Sequence, residues 1–168
     1  SSKLGDAAIL KELIKILKEN NIKVIKSNFF NPELTLKKGN FSKIKPNKLD
    51  SSSIKKGIKS LNNLNSYNHA QGLIIRNNKV IRKETSKGTK KMLQSINKIK
   101  DAGAILIKFP KKKQDLRVDL PTVGLDTIKD CKKYNLKGIV LKSNQNIFMD
   151  KKRSINFANK NKIFIKII

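Results

Sequence analysis

Apolar positions along the chain recur first at helical spacing and then at strand spacing. Ala, Ile and Leu at three- and four-residue intervals predict a helix from Asp6 to about Asn20. The β-branched run Ile22–Ile25 predicts a short strand after that helix. Residues 27–50 contain two prolines and a glycine and carry no clear period, so we interpret them as an irregular loop.

Beyond residue 50, helical and strand patterns alternate. One predicted helix follows Ser51–Ser53 and runs through Leu61. A second is capped by Thr89 and turns Met92, Leu93, Ile96 and Ile99 inward. A third is capped by Thr122 or Asp126, and a fourth lies near Lys151–Asn159. The predicted strands are Gly72–Arg76 and Lys79–Lys83 around Asn77-Asn78, Ala104–Phe109, Gln114–Leu120, Ile139–Leu141 paired with Ile147–Met149, and Ile163–Ile167. Short strands separated by helices, with two hairpins, predict an α/β fold: a single domain over residues 1–168 with a mixed β-sheet flanked by helices.

Lysine dominates the charge of the chain. Lys+Arg 39 against Asp+Glu 12 gives a formal net charge of +27 over 168 residues, and only four of the basic residues are Arg. Such a surplus favours a polyanionic partner or an anionic membrane surface. Arg is the usual reader of bases and phosphate pairs, and lysines scattered among Ile and Asn also fit a compositional drift that leaves a solvated surface. A lysine-rich nucleic-acid or anionic-surface binding module is therefore the alternative function.

Several common classes of site are absent from the sequence. The single cysteine, Cys131, excludes a disulfide framework and a cysteine-based zinc site. The glycine-rich nucleotide motifs, the zincin motif and the hydrolase nucleophile elbow do not occur. No apolar run approaches the roughly 20 residues that a membrane-spanning helix needs.

The segment Gln114–Pro121 alternates polar and apolar residues. In an extended strand, Asp115, Arg117 and Asp119 would share one face. Two carboxylates around a guanidinium can hold a divalent cation and a phosphate together, and a carboxylate can orient an attacking water. The alternative is an exposed charge ladder without chemistry.

A second candidate site precedes the third predicted helix. A Gly88-Thr89 turn that opens a helix offers backbone N–H groups and a favourable dipole to an anion, and Glu84 could add contacts. Lys108 and Lys111–Lys113 could bring positive charge to the same edge. The alternatives are an ordinary helix cap and solvated lysines.

The two candidate sites together resemble those of one protein family. They resemble the C-terminal catalytic domain of the UDP-2,3-diacylglucosamine pyrophosphatase family of lipid A biosynthesis, in the branch that is distinct from the calcineurin-like enzyme. The matching residues are Gly5-Asp6, Ala70-Gln71, Glu84 with Gly88-Thr89 and Met92-Leu93, Lys108, Gln114-Asp115-Leu116-Arg117-x-Asp119-Leu120-Pro121-Thr122-Val123-Gly124 with Thr127, and Leu136-x-Gly138-Ile139. The 114–124 block is the most specific part.

The resemblance implies a Mg²⁺-dependent hydrolase on the cytoplasmic side of the inner membrane. It would cleave UDP-2,3-diacylglucosamine to 2,3-diacylglucosamine 1-phosphate and UMP. Asp115 and Asp119 would be the catalytic and metal-binding residues. The residues that would bind substrate are Arg117, Lys108, Thr89, Gln114, Gln71, Glu84 and Thr122.

The same resemblance sets expectations about partners. The family carries an N-terminal domain, with the active site between the two domains, and we expect that domain to be missing from this chain and the isolated domain to have low activity. Peripheral contact with the inner membrane and a homodimer are further options, and a nucleic-acid partner is disfavoured. Lys87 and Lys90 stand where the family usually carries acidic residues, which puts metal affinity in question.

Overall fold

The computed structural model describes residues 6–64, 70–111 and 114–168. Its helices are α1 (Asp6–Glu19), α2 (Lys48–Leu64), α3 (Gly88–Gln94), α4 (Leu125–Lys133) and α5 (Lys151–Lys160). Its strands are β1 (Gly39–Asn40), β2 (Gly72–Arg76), β3 (Lys79–Lys83), β4 (Ile105–Lys108), β5 (Thr122–Val123), β6 (Gly138–Leu141), β7 (Ile147–Phe148) and β8 (Phe164–Ile167).

Six strands form one mixed sheet in the order β1-β8-β6-β4-β2-β3. The central strands β4, β6 and β8 are parallel, whereas β1 and β2 run antiparallel to their neighbours. Strands β5 and β7 form a separate two-stranded parallel sheet. The predicted fold class, α/β with a mixed sheet flanked by helices, is confirmed.

Successive residues of the central strands supply the cores on the two faces of the sheet. In β4, Leu106 packs with residues of α3, α4 and α5, whereas Ile105 and Ile107 pack on the other face with residues of α2. This follows from the strand period of two. Gly138 lies opposite Phe164, and a Cβ at Gly138 would come within 2.3 Å of the Phe164 ring. A side chain at this position would therefore displace the Phe164 ring.

Several predicted elements are confirmed. The β2–β3 hairpin turns at Asn77 and Asn78, both with positive φ (47° and 62°), as a tight two-residue turn requires. Helices α1 and α5 and strands β4 and β8 lie where the sequence pattern predicts them. Among the described residues, no helix is long and apolar enough to cross a bilayer.

Other predictions near the first helix are wrong. Ile22–Ile25 is not a strand, because none of its backbone groups pairs in a ladder among the described residues. The predicted loop 27–50 contains a 3₁₀ turn at Pro32–Leu34 and strand β1, and α2 begins at Lys48 rather than after Ser51. The cap predicted at Asp6 depends on a side chain outside the described residues.

The remaining errors concern helix caps and strand pairing. Ile147 pairs with Thr122 in the small sheet and not with the strand at Ile139, because β6 is already paired on both sides by β4 and β8. Helix α4 is preceded by Gly124 without a side-chain cap, so neither Thr122 nor Asp126 caps it. Ile99, predicted inward, is 89% exposed because α3 ends at Gln94.

Candidate functional site

The carboxyl ends of β4, β6 and β8 lie at one edge of the main sheet. Lys108 ends β4, and it pairs with Leu141 of β6 on one side and with Gly72 of β2 on the other. Because β2 runs the opposite way, the residue before it, Gln71, also lies at this edge, where its carbonyl accepts a hydrogen bond from Phe109 N–H (2.8 Å). In open α/β sheets, ligands bind outside the carboxyl ends of the parallel strands.

Glu84 is a buried carboxylate at this edge. It follows β3, and its own N–H donates to the Gly72 carbonyl (2.9 Å). One carboxylate oxygen accepts the Gln71 N–H (2.8 Å), and the other accepts the hydroxyl of Thr89 in the first turn of α3 (2.6 Å). Both Glu84 oxygens are therefore engaged inside the protein, and the carboxylate fixes the Thr89 side chain.

Thr89 is not the helix cap that the sequence predicts. Lys87 precedes α3 without a side-chain cap, and Thr89 lies one residue inside the helix. Its hydroxyl hydrogen-bonds to Glu84 rather than to a backbone N–H of the helix. The buried carboxylate competes for the hydroxyl because hydrogen bonds to charged acceptors are stronger than those to neutral ones.

Lys108 is half-buried beside this carboxylate. Burial lowers the pKa of its ammonium group, and the negative charge of Glu84 partly offsets that effect. A cation that is only partly solvated interacts more strongly with an anion than a fully exposed lysine does. Lys108 is therefore a positive group held at the edge where a ligand of this sheet would bind.

Two glutamines join this edge to the 114–119 segment. Gln71 Nε2 donates to Gln114 Oε1 (2.9 Å), and the same oxygen accepts the Lys111 N–H (2.8 Å). Gln114 Nε2 is buried and has no hydrogen-bond partner among the described residues. The structure thus brings five of the predicted site residues into one connected group, which we call the Glu84 cluster: Gln71, Glu84, Thr89, Lys108 and Gln114.

The strand predicted over Gln114–Leu120 is wrong. The segment is a turn, which we call the 115–119 turn, in which Asp119 N–H donates to the Asp115 carbonyl (2.9 Å). The Asp115 side chain also accepts the Arg117 N–H (3.0 Å). A short acidic side chain that bonds the backbone two residues on favours a turn over a ladder, so Asp115, Arg117 and Asp119 do not share a strand face.

Asp115 and Arg117 form a bidentate ion pair in this turn. Arg117 Nη2 lies 2.6 Å from one carboxylate oxygen and Nε 3.0 Å from the other. The hydrogen bonds from Arg117 lower the pKa of Asp115 to about 2. They raise the pKa of the exposed Arg117 guanidinium. Both side chains remain partly exposed, so the pair is accessible to solvent.

Asp119 lies in a small cleft between the 115–119 turn and α1. The cleft is lined by Leu10, Lys11, Ile14, Gln114, Asp115, Val118 and Asp119. It places both predicted metal-binding aspartates beside Gln114 of the Glu84 cluster.

A magnesium ion is commonly held by one or two carboxylates together with substrate phosphates, and the two aspartates fit that donor set. Among the described residues, no three acidic, His or Cys side chains form a metal-binding group.

Thr122 lies apart from the other predicted residues. It is exposed on β5 of the small sheet, and its hydroxyl contacts the Leu120 carbonyl (3.4 Å). No described contact joins it to the Glu84 cluster. Lys87 and Lys90, at the start of α3, are exposed to solvent.

Sequence reasoning missed Asn146. This buried amide donates to the Lys108 carbonyl (3.4 Å) and accepts the Lys142 N–H (3.1 Å), so it holds the loop after β6 against the end of β4. The sequence suggested only a hairpin turn at this position. The feature of the sequence that could have identified Asn146 is its position as a polar residue in the loop that follows a buried parallel strand, at the carboxyl edge of the sheet.

Comparison with known proteins identifies the family of this chain. The chain is 25% identical over 173 residues to the UDP-2,3-diacylglucosamine pyrophosphatase LpxI of Caulobacter vibrioides, over 98% of this chain. It spans 62% of the length of that relative. A family model described as the LpxI C-terminal domain matches residues 37–166, which include both the Glu84 cluster and the 115–119 turn. The resemblance found in the sequence is thereby confirmed, and the chain belongs to the LpxI C-terminal domain family.

Proposed function

We propose that this chain is the catalytic domain of a Mg²⁺-dependent pyrophosphatase of lipid A biosynthesis. It would hydrolyse UDP-2,3-diacylglucosamine to 2,3-diacylglucosamine 1-phosphate and UMP. Support comes from the family match over residues 37–166 and from the activity named for the Caulobacter relative. The observation that carries the proposal is the Gln71–Gln114 hydrogen bond (2.9 Å), which holds Gln114, the residue just before the 115–119 turn, in the Glu84 cluster.

Lys108 and Arg117 would bind the pyrophosphate. The substrate carries dense negative charge, and more develops on the leaving phosphate oxygen as the anhydride bond breaks. Preorganised cations in a partly water-excluded site stabilise that charge without reorganising during the reaction. Lys108 is half-buried, and Arg117 is oriented by Asp115, so both are held before the substrate arrives. Gln71, Gln114, Glu84, Thr89 and Thr122 complete the proposed substrate-binding set.

The two aspartates would have different roles. Both oxygens of Asp115 accept from Arg117, and a carboxylate whose pKa is about 2 is a poor general base. Asp119 would therefore orient and deprotonate the attacking water, while Asp115 positions Arg117. Both carboxylates would help to hold Mg²⁺, which when bound would neutralise phosphate charge and act as a Lewis acid.

UMP release tests this function directly. The assay uses UDP-2,3-diacylglucosamine with Mg²⁺ or with EDTA, on this chain alone and on the full natural polypeptide that carries it. We expect Mg²⁺-dependent release from the full polypeptide and less from the chain alone. Absence of UMP release from a folded full polypeptide would refute the proposed activity.

The substrate and the charge suggest a location for this reaction. Because the substrate carries acyl chains and the chain has a net charge of +27, we propose peripheral contact with anionic lipid at the cytoplasmic face of the inner membrane. Each lysine near such a surface contributes on the order of 1 kcal/mol. Co-sedimentation should favour vesicles with anionic lipid over neutral vesicles, and equal sedimentation would remove this part of the proposal.

The same charge supports the second candidate function, a nucleic-acid binding module. Phosphate contacts by lysine would give duplex binding that weakens steeply with salt, because counterions are released. Fluorescence anisotropy with a duplex at low and near-physiological salt distinguishes the two. Tight binding at near-physiological salt, without UMP release, would favour the second function.

A further inference from the structure

We propose that the Thr89 side chain accepts a hydrogen bond from an N–H or O–H group of the bound ligand and does not bind a phosphate oxygen. This inference rests on the proposed function for the location of the site. It specifies the chemical group on the ligand that the Thr89 side chain would recognise.

In the Thr89–Glu84 hydrogen bond, the hydroxyl donates and the carboxylate accepts. The second carboxylate oxygen accepts the backbone N–H of Gln71 (2.8 Å), so both oxygens of Glu84 act as acceptors. The short contact between Thr89 Oγ1 and Glu84 Oε1 (2.6 Å) must therefore use the hydroxyl proton of Thr89. A threonine hydroxyl has one proton and two lone pairs, so only acceptor capacity is left for a ligand.

Thr89 can be reached by a ligand even though its partner is buried. Glu84 is 9% exposed, whereas Thr89 is partly exposed in the first turn of α3. The buried carboxylate thus sets the polarity of a hydroxyl that belongs to a partly exposed residue. An ionised phosphate ester offers only acceptor oxygens, which the remaining Thr89 lone pairs would repel.

The proposed substrate has suitable donor groups at both ends. The uridine has ribose hydroxyls and the uracil N–H, and the diacylglucosamine has an amide N–H and free hydroxyls. Three probes separate these sources: UDP, 2,3-diacylglucosamine 1-phosphate in detergent, and inorganic pyrophosphate as a probe without either donor-bearing end.

Binding is measured by calorimetry on the full natural polypeptide, with and without Mg²⁺. We expect Thr89→Ala to weaken UDP or the lipid phosphate about 2- to 13-fold, which corresponds to the loss of one hydrogen bond, and to leave pyrophosphate unchanged. The probe whose binding is weakened by Thr89→Ala identifies the end of the substrate that Thr89 contacts. Thr89→Ser should restore binding, and Thr85→Ala, an exposed threonine of the same turn, should behave as the wild type.

Glu84→Gln tests the role of the carboxylate. The new amide oxygen must face the Gln71 N–H, so the amide nitrogen would donate to Thr89, which would then offer its hydroxyl proton and only one lone pair to a ligand. Affinity for the donor-bearing probe, relative to pyrophosphate, should then fall, but by less than in Thr89→Ala, because one lone pair remains. The double variant should match Thr89→Ala relative to pyrophosphate, because Glu84 acts on this contact only through the Thr89 hydroxyl.

The outcomes separate this inference from the proposed function. Equal weakening of pyrophosphate by Thr89→Ala, additive losses in the double variant, or an effect seen only with Mg²⁺ would overturn the acceptor role. Normal UMP release with no effect of Thr89→Ala on any probe would overturn the inference alone. A folded wild-type polypeptide that binds none of the probes would overturn both, and thermal unfolding of each variant checks that it folds.

Discussion

Glu84 and Asp115 are both carboxylates of the candidate site, and each uses both of its oxygens within the protein. Glu84 is buried, and its partners lie on two other elements, at Gln71 and Thr89. Asp115 is partly exposed, and its partner Arg117 is two residues away in the same turn. Burial strengthens the first set of interactions, whereas solvent screens the second. We therefore expect changes in the Glu84 cluster to affect the stability of the fold more than changes in the 115–119 turn.

The largest expected effect is on activity, from Lys108→Met. Methionine keeps much of the side-chain volume but removes the half-buried charge, so we expect kcat/KM for UMP release to fall about 10²-fold or more. Burial lowers the pKa of Lys108 and the neighbouring Glu84 charge raises it, so the two effects oppose each other and we expect only a small change in the melting temperature. Lys129→Met, at an exposed lysine of α4, is the matched control. If Lys108→Met failed to fold, or folded and kept its activity, Lys108 would not have the role in activity that we assign to it.

The next effect is on stability, from Glu84→Gln. Replacing the carboxylate weakens two hydrogen bonds to a buried charged acceptor, and we expect the free energy of unfolding to fall by about 1–3 kcal/mol in chemical denaturation. Asp115→Asn should change it far less. Equal losses in the two variants would mean that the comparison between buried and exposed carboxylates is wrong.

The same Glu84→Gln variant should shift the pH profile. Burial lowers the pKa of Lys108 and Glu84 raises it, so loss of the Glu84 charge lowers it further. The lysine then loses its proton at a lower pH, and the alkaline decline of kcat/KM should move to lower pH. An unchanged alkaline decline would show that Glu84 does not influence the charge of Lys108.

The smallest effect is expected from Arg117→Ala on the titration of Asp115. Without its hydrogen-bonding partner, the pKa of Asp115 should rise from about 2 towards the ordinary value of about 3.9. In the wild type, the stabilising contribution of the Asp115–Arg117 pair is fully present above about pH 4 and is lost as the pH falls through about 2. NMR titration of the Asp115 carboxyl measures this shift, and an unchanged pKa would show that the ion pair does not form.

Local patterns predicted the elements that depend on neighbouring residues. The β2–β3 hairpin follows from Asn77-Asn78, and the central strand β4 follows from its apolar run. The 115–119 turn also has a local cause, the Asp115 carboxylate, but its alternating polar and apolar residues imitate a strand. Binary alternation alone could not reveal that a side chain would close the turn.

Contacts between distant residues could not be predicted from spacing. Gln71 and Gln114 are 43 residues apart, and only the sheet order brings them together. The sequence identified Glu84 and Thr89 as site residues but did not show that they bond to each other, because the cap prediction assigned Thr89 to the helix backbone. Asn146 was missed for the same reason, since its contact with Lys108 requires the parallel pairing of β4 and β6.

The most direct test of the proposed site compares two aspartates in the UMP-release assay. Asp119→Ala removes the proposed base, and Asp126→Ala removes an exposed carboxylate of α4 that lies outside the site. Loss of a general base commonly costs 10²- to 10⁴-fold, so we predict a loss of at least about 10²-fold for Asp119→Ala and a wild-type rate for Asp126→Ala. Equal rates for the two folded variants would contradict the assignment of the 115–119 turn to the active site.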